Sequence, residues 1–156
     1  GIDKVTKEDY GKNLDKNIEE LLNRMKNMAY RPGPVRQTII PKAGGAMRPL
    51  GISNFEDKII QKMTQRVLES IYDPIFRESS YGFRPNKGCH DAIKALSTYL
   101  YENEIKTVID VDIKGFFDNI NHKLLEELLR EKIKDERFMR YIIRMFKAGV
   151  LSKKGI

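Results

Sequence analysis

The sequence predicts an α+β fold, helix-rich, with one β-hairpin and a short, incomplete antiparallel sheet. Three observations carry this reading. Apolar residues recur at helical spacing in several stretches, with charges between them. Two strand-like runs, 35–41 and 47–53, flank the turn Ala43-Gly44-Gly45-Ala46. A third run, Lys106 to Ile113, is rich in β-branched residues yet carries two acids, Asp110 and Asp112.

Taken in order, residues 1–13 read as an irregular lead-in. Leu14 to Met28 is a helix, with Leu14, Ile18, Leu21, Leu22, Met25 and Met28 on its apolar stripe. Pro32 and Pro34 stop it. The hairpin follows, with Lys42 and Arg48 on either side of its tip. Ser53-Asn54-Phe55-Glu56 has the pattern of a capping box and opens a helix to Tyr72, which Pro74 ends. Ser79 to Pro85 is irregular and rich in aromatics and turn formers. A helix from Cys89 to Tyr101 comes next, then the strand at 106–113. Asn121 caps a helix carrying Leu124, Leu125, Leu128 and Leu129, and Asp135 caps another with Phe138, Met139, Ile142, Ile143 and Phe146 inside. Residues 148–156 read as a frayed end. No repeat, low-complexity stretch or linker divides the chain, and the ends suggest a piece of a longer protein.

Composition narrows the function. At 156 residues, 40% hydrophobic and 33% charged, the chain can bury a core in water. No apolar run is long enough to cross a membrane, and no signal peptide is visible. One cysteine and two histidines argue against a disulfide framework or a structural zinc site, and His90 near a helix N-terminus is a poor metal ligand. The net charge of +7 suits a polyanionic partner without requiring one.

The strand at 106–113 poses the chemical question. Alternation sets Val108, Asp110 and Asp112 on one face and Ile109, Val111 and Ile113 on the other. A buried carboxylate has to be paired, hydrogen-bonded or metal-bound. Asp112, at the strand end before a turn, is placed to hold a hard cation such as Mg²⁺, with the Ile113 carbonyl as a second oxygen. Asp110 sits roughly 7 Å back along the strand, far for joint ligation. Of the aromatics after Gly115, Phe116 and Phe117, one is a core residue and the other is free to stack on a sugar. Lys42 and Arg48 read either as solvated turn charges or as phosphate ligands on a mobile finger.

Three blocks in this order resemble the reverse transcriptases encoded by bacterial group II introns, the intron maturases. They are PVRQTIIPKAGGAMRPLGISNFEDKIIQ (34–61), SSYGFRPNKGCHDAI (79–93) and VDIKGFFDNINHKLL (111–125). The opening GID also looks like the tail of that family's first block. The resemblance implies a right-hand polymerase, with fingers over 1–105 and part of the palm over 106–156. It implies that Asp112 is the first catalytic aspartate and a metal ligand, with the Ile113 backbone carbonyl beside it. Lys42 and Arg48 would clasp the incoming deoxynucleotide triphosphate, Phe116 would sense its sugar, and Arg36 and Ile52 would line the template and nascent pair.

Mg²⁺ is the implied cofactor. The implied partners are group II intron RNA, an RNA template, a DNA primer and deoxynucleotide triphosphates, in a bacterial cytoplasm. The family's tyrosine-x-aspartate-aspartate turn does not occur in this sequence. The chain alone is therefore expected to hold Mg²⁺ weakly or not at all and to be inactive. An alternative is an RNA-binding splicing module without polymerase activity, using Lys12, Lys16, Arg24, Lys26, Tyr30 and Arg31 as its surface. An uncovered apolar face would let two copies pair as a homodimer.

Overall fold

The first helical stripe folds as expected in a computed structural model, which describes residues 1–41, 45 and 47–151. Helix α1 (Lys7–Gly11) precedes it, where an irregular lead-in was expected. Its signal is one residue: the Thr6 hydroxyl accepts the Asp9 N–H at 3.1 Å and caps a helix too short to show a period. Helix α2 (Leu14–Lys26) follows. Strands β1 (Val35–Pro41) and β2 (Met47–Ile52) form the hairpin, and α3 (Phe55–Tyr72) leaves it. Helices α4 (Cys89–Glu102), α5 (His122–Lys132) and α6 (Glu136–Phe146) complete the helical set, and β3 (Val150–Leu151) is a two-residue strand.

The sheet order is β2-β1-β3. β1 and β2 run antiparallel, pairing Arg36 with Ile52 and Ile40 with Arg48. β3 lies parallel to β1, opposite Val35 and Arg36. The sheet is thus mixed rather than purely antiparallel, and residues 150–151 join it where a frayed end was expected. Gly51 has a packing reason, because a Cβ there would stand 2.6 Å from Val35 Cγ1.

The expected strand at 106–113 does not form. Residues 105–113 have no regular structure, and Ile109 is 81% exposed. β-branched residues favour a pleated, half-buried surface, but a strand needs a neighbour to bond to. Among the described residues this segment has none.

The chain divides into two compact units, one of Gly1–Gln65 with the residues from His122 onward, the other of Arg66–Asn121. The first holds the main core: Leu21, Tyr30, Ile60 and Tyr141, with Met25, Met28 and Met145 packed against them. Helix α6 closes this core by gripping the end of α2. Tyr141 donates its hydroxyl to the Met25 carbonyl at 2.5 Å, Arg137 donates to Lys26 O at 2.6 Å, and Arg144 donates to the carbonyls of Met28 and Tyr30, both at 2.9 Å. Carbonyls at and just past a helix end lack next-turn N–H donors, and cationic side chains there also suit its dipole, although the Met25 carbonyl also accepts the Met28 N–H at 2.9 Å. Asp135 caps α6 as expected, accepting from Arg137 N at 2.8 Å and Phe138 N at 2.9 Å.

A buried acid sits in the same core. Asp57 is 4% exposed and Tyr30 only 1%. The Tyr30 hydroxyl donates to Asp57 Oδ1 at 2.5 Å, and the Gly33 N–H donates to Oδ2 at 3.1 Å. Burial, then the bond to Asp57, holds the Tyr30 phenol well above its ordinary range. Glu56 is held by Arg24 at 2.5 Å and by the Tyr10 hydroxyl at 3.3 Å, ties that fasten α1 and α2 to the start of α3.

The second unit is organised around Arg84, whose side chain is 8% exposed. Its Nε meets Asp73 Oδ1 at 2.6 Å, and its guanidinium also donates to the carbonyls of Asp73, Arg77 and Ser80 at 2.9–3.2 Å. One planar five-donor group thus pins residues 73–84.

Candidate functional site

The hairpin register decides which site residues share a face. Residues paired directly across an antiparallel ladder project to the same side, and every second residue follows. Arg36 and Ile52 are direct partners, and Arg48 pairs with Ile40 on that same face. Arg48 lies four residues along β2 from Ile52, roughly 13 Å by strand rise. Arg36 and Arg48 are both exposed and Ile52 is partly covered. One side of this hairpin therefore presents a cation at each end with Thr38 and Leu50 between and Ile40 beside Arg48, suited to a polyanion laid along it. Lys42 lies outside the described residues.

Asp112, Ile113 and Phe116 belong to the other unit. All three are exposed. The turn after Asp112 depends on Gly115, which has φ +62°. That conformation is strained for other residues, and a Cβ here would also stand 3.1 Å from Asn119 Nδ2. Asn119 locks the turn by donating Nδ2–H to the Gly115 carbonyl at 2.7 Å. A 3₁₀ turn over Phe117–Asn119 follows. The rings of Phe116 and Phe117 meet edge to face with centroids 5.5 Å apart. Both rings are exposed, so neither fills a core here, contrary to the expectation for one of them.

A metal site is incomplete on these residues. Among the described residues no three His, Cys, Asp or Glu side chains gather as a cage. One carboxylate and one backbone carbonyl fall short of the octahedral oxygen set that Mg²⁺ requires. This donor set does not fit a complete ion site.

Part of the N-terminal basic surface is engaged within the fold. Tyr30 is in the core, Arg24 binds Glu56, and Arg31 donates to the carbonyls of Met28 and Tyr30. Lys12 pairs with Asp9 at 2.7 Å, and Lys16 stands 4.0 Å from Glu20. Sequence reasoning missed Asp57, Arg84 and Phe83. An acid on the apolar side of a helix start was the available signal for Asp57; nothing local marks the other two.

A family model described as reverse transcriptase (RNA-dependent DNA polymerase) matches residues 40–154. The chain is similar to group II intron-encoded protein LtrA of Lactococcus lactis subsp. cremoris, with 41% identity over 138 residues, 88% of this chain and 23% of LtrA. It is 38% identical over 136 residues to an uncharacterized 91 kDa protein in the cob intron of Schizosaccharomyces pombe, covering 87% of this chain and 17% of that protein. Protein YkfC of Escherichia coli (strain K12) is 35% identical over 152 residues, 96% of this chain and 40% of YkfC. The chain thus spans less than half the length of each of these relatives. With most of its length inside the matched region, the chain belongs to the reverse transcriptase family of RNA-dependent DNA polymerases.

Proposed function

We propose that this chain supplies the fingers (1–105) and the first part of the palm (106–156) of a right-hand RNA-directed DNA polymerase encoded by a group II intron, a protein that also serves its intron RNA as a splicing maturase. The observation that carries the reading is the family match over residues 40–154, which includes every assigned residue but Arg36. The hairpin register adds to it by aligning Arg36, Ile52 and Arg48 on one face.

In this reading Arg48, with Lys42, binds the triphosphate of the incoming deoxynucleotide. A guanidinium matches phosphate oxygens with two parallel donors and stays charged at any working pH. Arg36 and Ile52 lie under the template base and the nascent pair, one cationic and one apolar. Phe116 is held by the Gly115 turn so that its ring occupies the space a 2′-hydroxyl would need. Catalysis by such a site is mainly positioning. Reverse transcriptases use divalent metal ions, and Mg²⁺ would supply charge neutralisation at the phosphate. Asp112 and the Ile113 carbonyl are this chain's contribution to holding it, with further carboxylates required from outside the described residues. The partners are an RNA template, a DNA primer and the intron RNA. A homodimer would use the exposed stripe Ile93, Leu96 and Leu100 of α4.

The test is extension of a DNA primer on an RNA template by the polymerase containing this chain. Asp112→Ala should abolish extension while leaving RNA binding intact. Undiminished extension would remove Asp112 from the site. Loss of splicing support with extension intact, on replacing Lys16 and Lys26, would favour the RNA-binding reading for the N-terminal surface.

A further inference from the structure

Phe83 is the most exposed large apolar side chain in the described structure, at 99%. It also sits at φ +58°, a backbone region that a bulky residue rarely adopts. Exposure of this kind is unremarkable on a floppy loop, but this loop is braced. Arg84, the next residue, is nearly buried and anchors the loop to Asp73, Arg77 and Ser80. On the other side Lys87 donates to the Glu78 carbonyl and carboxylate, both at 2.8 Å, and lies 5.2 Å over the Tyr81 ring. Asn86 also has positive φ, at +57°. Two left-handed residues therefore flank the inward-turned Arg84, and the ring at 83 is turned out. Strain is retained only where surrounding contacts fix it, and such strain concentrates at functional positions.

We infer that Phe83 is a preset stacking platform for an unpaired nucleobase of a single-stranded nucleic acid. The inference rests on the nucleic-acid reading above. It adds a contact remote in sequence from every residue assigned there. The chemistry favours a base over an apolar protein surface. Both ring faces are free, and the bulky loop neighbours from 77 to 88 besides Arg84 are Arg77, Glu78, Tyr81, Pro85, Asn86 and Lys87, with Glu78 paired to Lys87, so the surroundings are mostly polar rather than aliphatic. An exposed aromatic face in a polar, partly cationic loop is the pattern of single-strand binding, where each stacked base contributes independently of sequence. A protein hot spot would instead sit within an apolar patch. The loop is already fixed, so stacking carries little ordering cost.

The experiment measures binding of the chain to a fluorescently labelled, unstructured single-stranded RNA, to single-stranded DNA of matching sequence, and to a blunt duplex. Phe83→Ala and Phe83→Leu should weaken single-strand binding roughly fivefold or more, with melting temperature and duplex binding unchanged, and Phe83→Trp should retain affinity. A loss on RNA alone assigns the platform to an RNA strand, and a loss on DNA alone to a DNA strand. Wild-type affinity in Phe83→Ala overturns the inference while the nucleic-acid reading stands. Wild-type affinity in Phe83→Leu overturns stacking in favour of a plain apolar contact. An equal loss on the duplex overturns the unpaired base. Failure of the wild-type chain to bind any of the three overturns both readings together.

Discussion

Replacing Tyr30 by Phe isolates one buried oxygen. The ring stays in the core beside Tyr141, whose centroid is 6.2 Å away, so packing changes little. What disappears is the hydroxyl that donates to Asp57 Oδ1 at 2.5 Å. Asp57 then keeps only the Gly33 N–H at 3.1 Å, in a site where it is 4% exposed. Leaving a buried acceptor without its partner costs about 1–3 kcal/mol. We expect about 2 kcal/mol, a melting shift of roughly 4–8 °C for a chain of this length. Urea denaturation followed by circular dichroism measures it. The pH dependence gives a second reading. In the folded chain the phenol is held protonated well above its ordinary range, whereas in the unfolded chain it ionises near pH 10. The folded state then binds the extra proton, so the stabilisation is complete below about pH 10 and falls as pH rises beyond it, by at most about 1.4 kcal/mol per unit. Tyr10 is shifted the same way, so the relevant quantity is the part of the alkaline slope that Tyr30→Phe removes. A variant as stable as wild type, with an unchanged slope, would refute the buried pair as a stabilising contact.

Three further changes test other joints. Asp135→Ala removes the acceptor for two N–H groups at the start of α6 and should cost about 1 kcal/mol by denaturation. Gly115→Ala forces a Cβ into a left-handed turn and against Asn119; about 1 kcal/mol of local strain should appear as faster amide exchange over 114–121, with polymerase activity reduced. Arg84→Lys keeps the charge but not the planar fork, so exchange over 73–84 should quicken several-fold; unchanged exchange would show that the loop holds itself.

Helices α2, α3 and α6 were legible because burial on one side writes a period into the sequence. Leu21, Ile60, Met139 and Ile142 are all buried stripe residues. The hairpin was legible from glycines between two strand-like runs, and its register follows from Arg36 opposite Ile52. The 106–113 segment misled because β-branched composition reports compatibility with a sheet and says nothing of a neighbour being there. Helix α1 and strand β3 are too short to carry a period. Helix α2 ends at Lys26, and the chain leaves it through Met28 at φ +55°, where glycine would be the usual signal. Tyr30, read as part of an RNA surface, lies in the core because aromatic content does not reveal which groups the fold buries. Asp57 and Arg84 were hidden for the same reason: their partners are set by tertiary packing. The site residues were legible mainly through resemblance, since one aspartate and a few cations carry no specificity by themselves.

The central claim of the proposed function is that Arg48, on the hairpin face it shares with Arg36 and Ile52, binds the triphosphate of the incoming deoxynucleotide. The most direct measurement is the deoxynucleotide KM in RNA-templated primer extension by the polymerase containing this chain, for wild type and Arg48→Ala. A charged hydrogen bond to phosphate contributes about 1.5–3 kcal/mol, so KM should rise roughly tenfold or more while primer–template affinity stays unchanged. An Arg48→Ala polymerase with wild-type KM and kcat would contradict it.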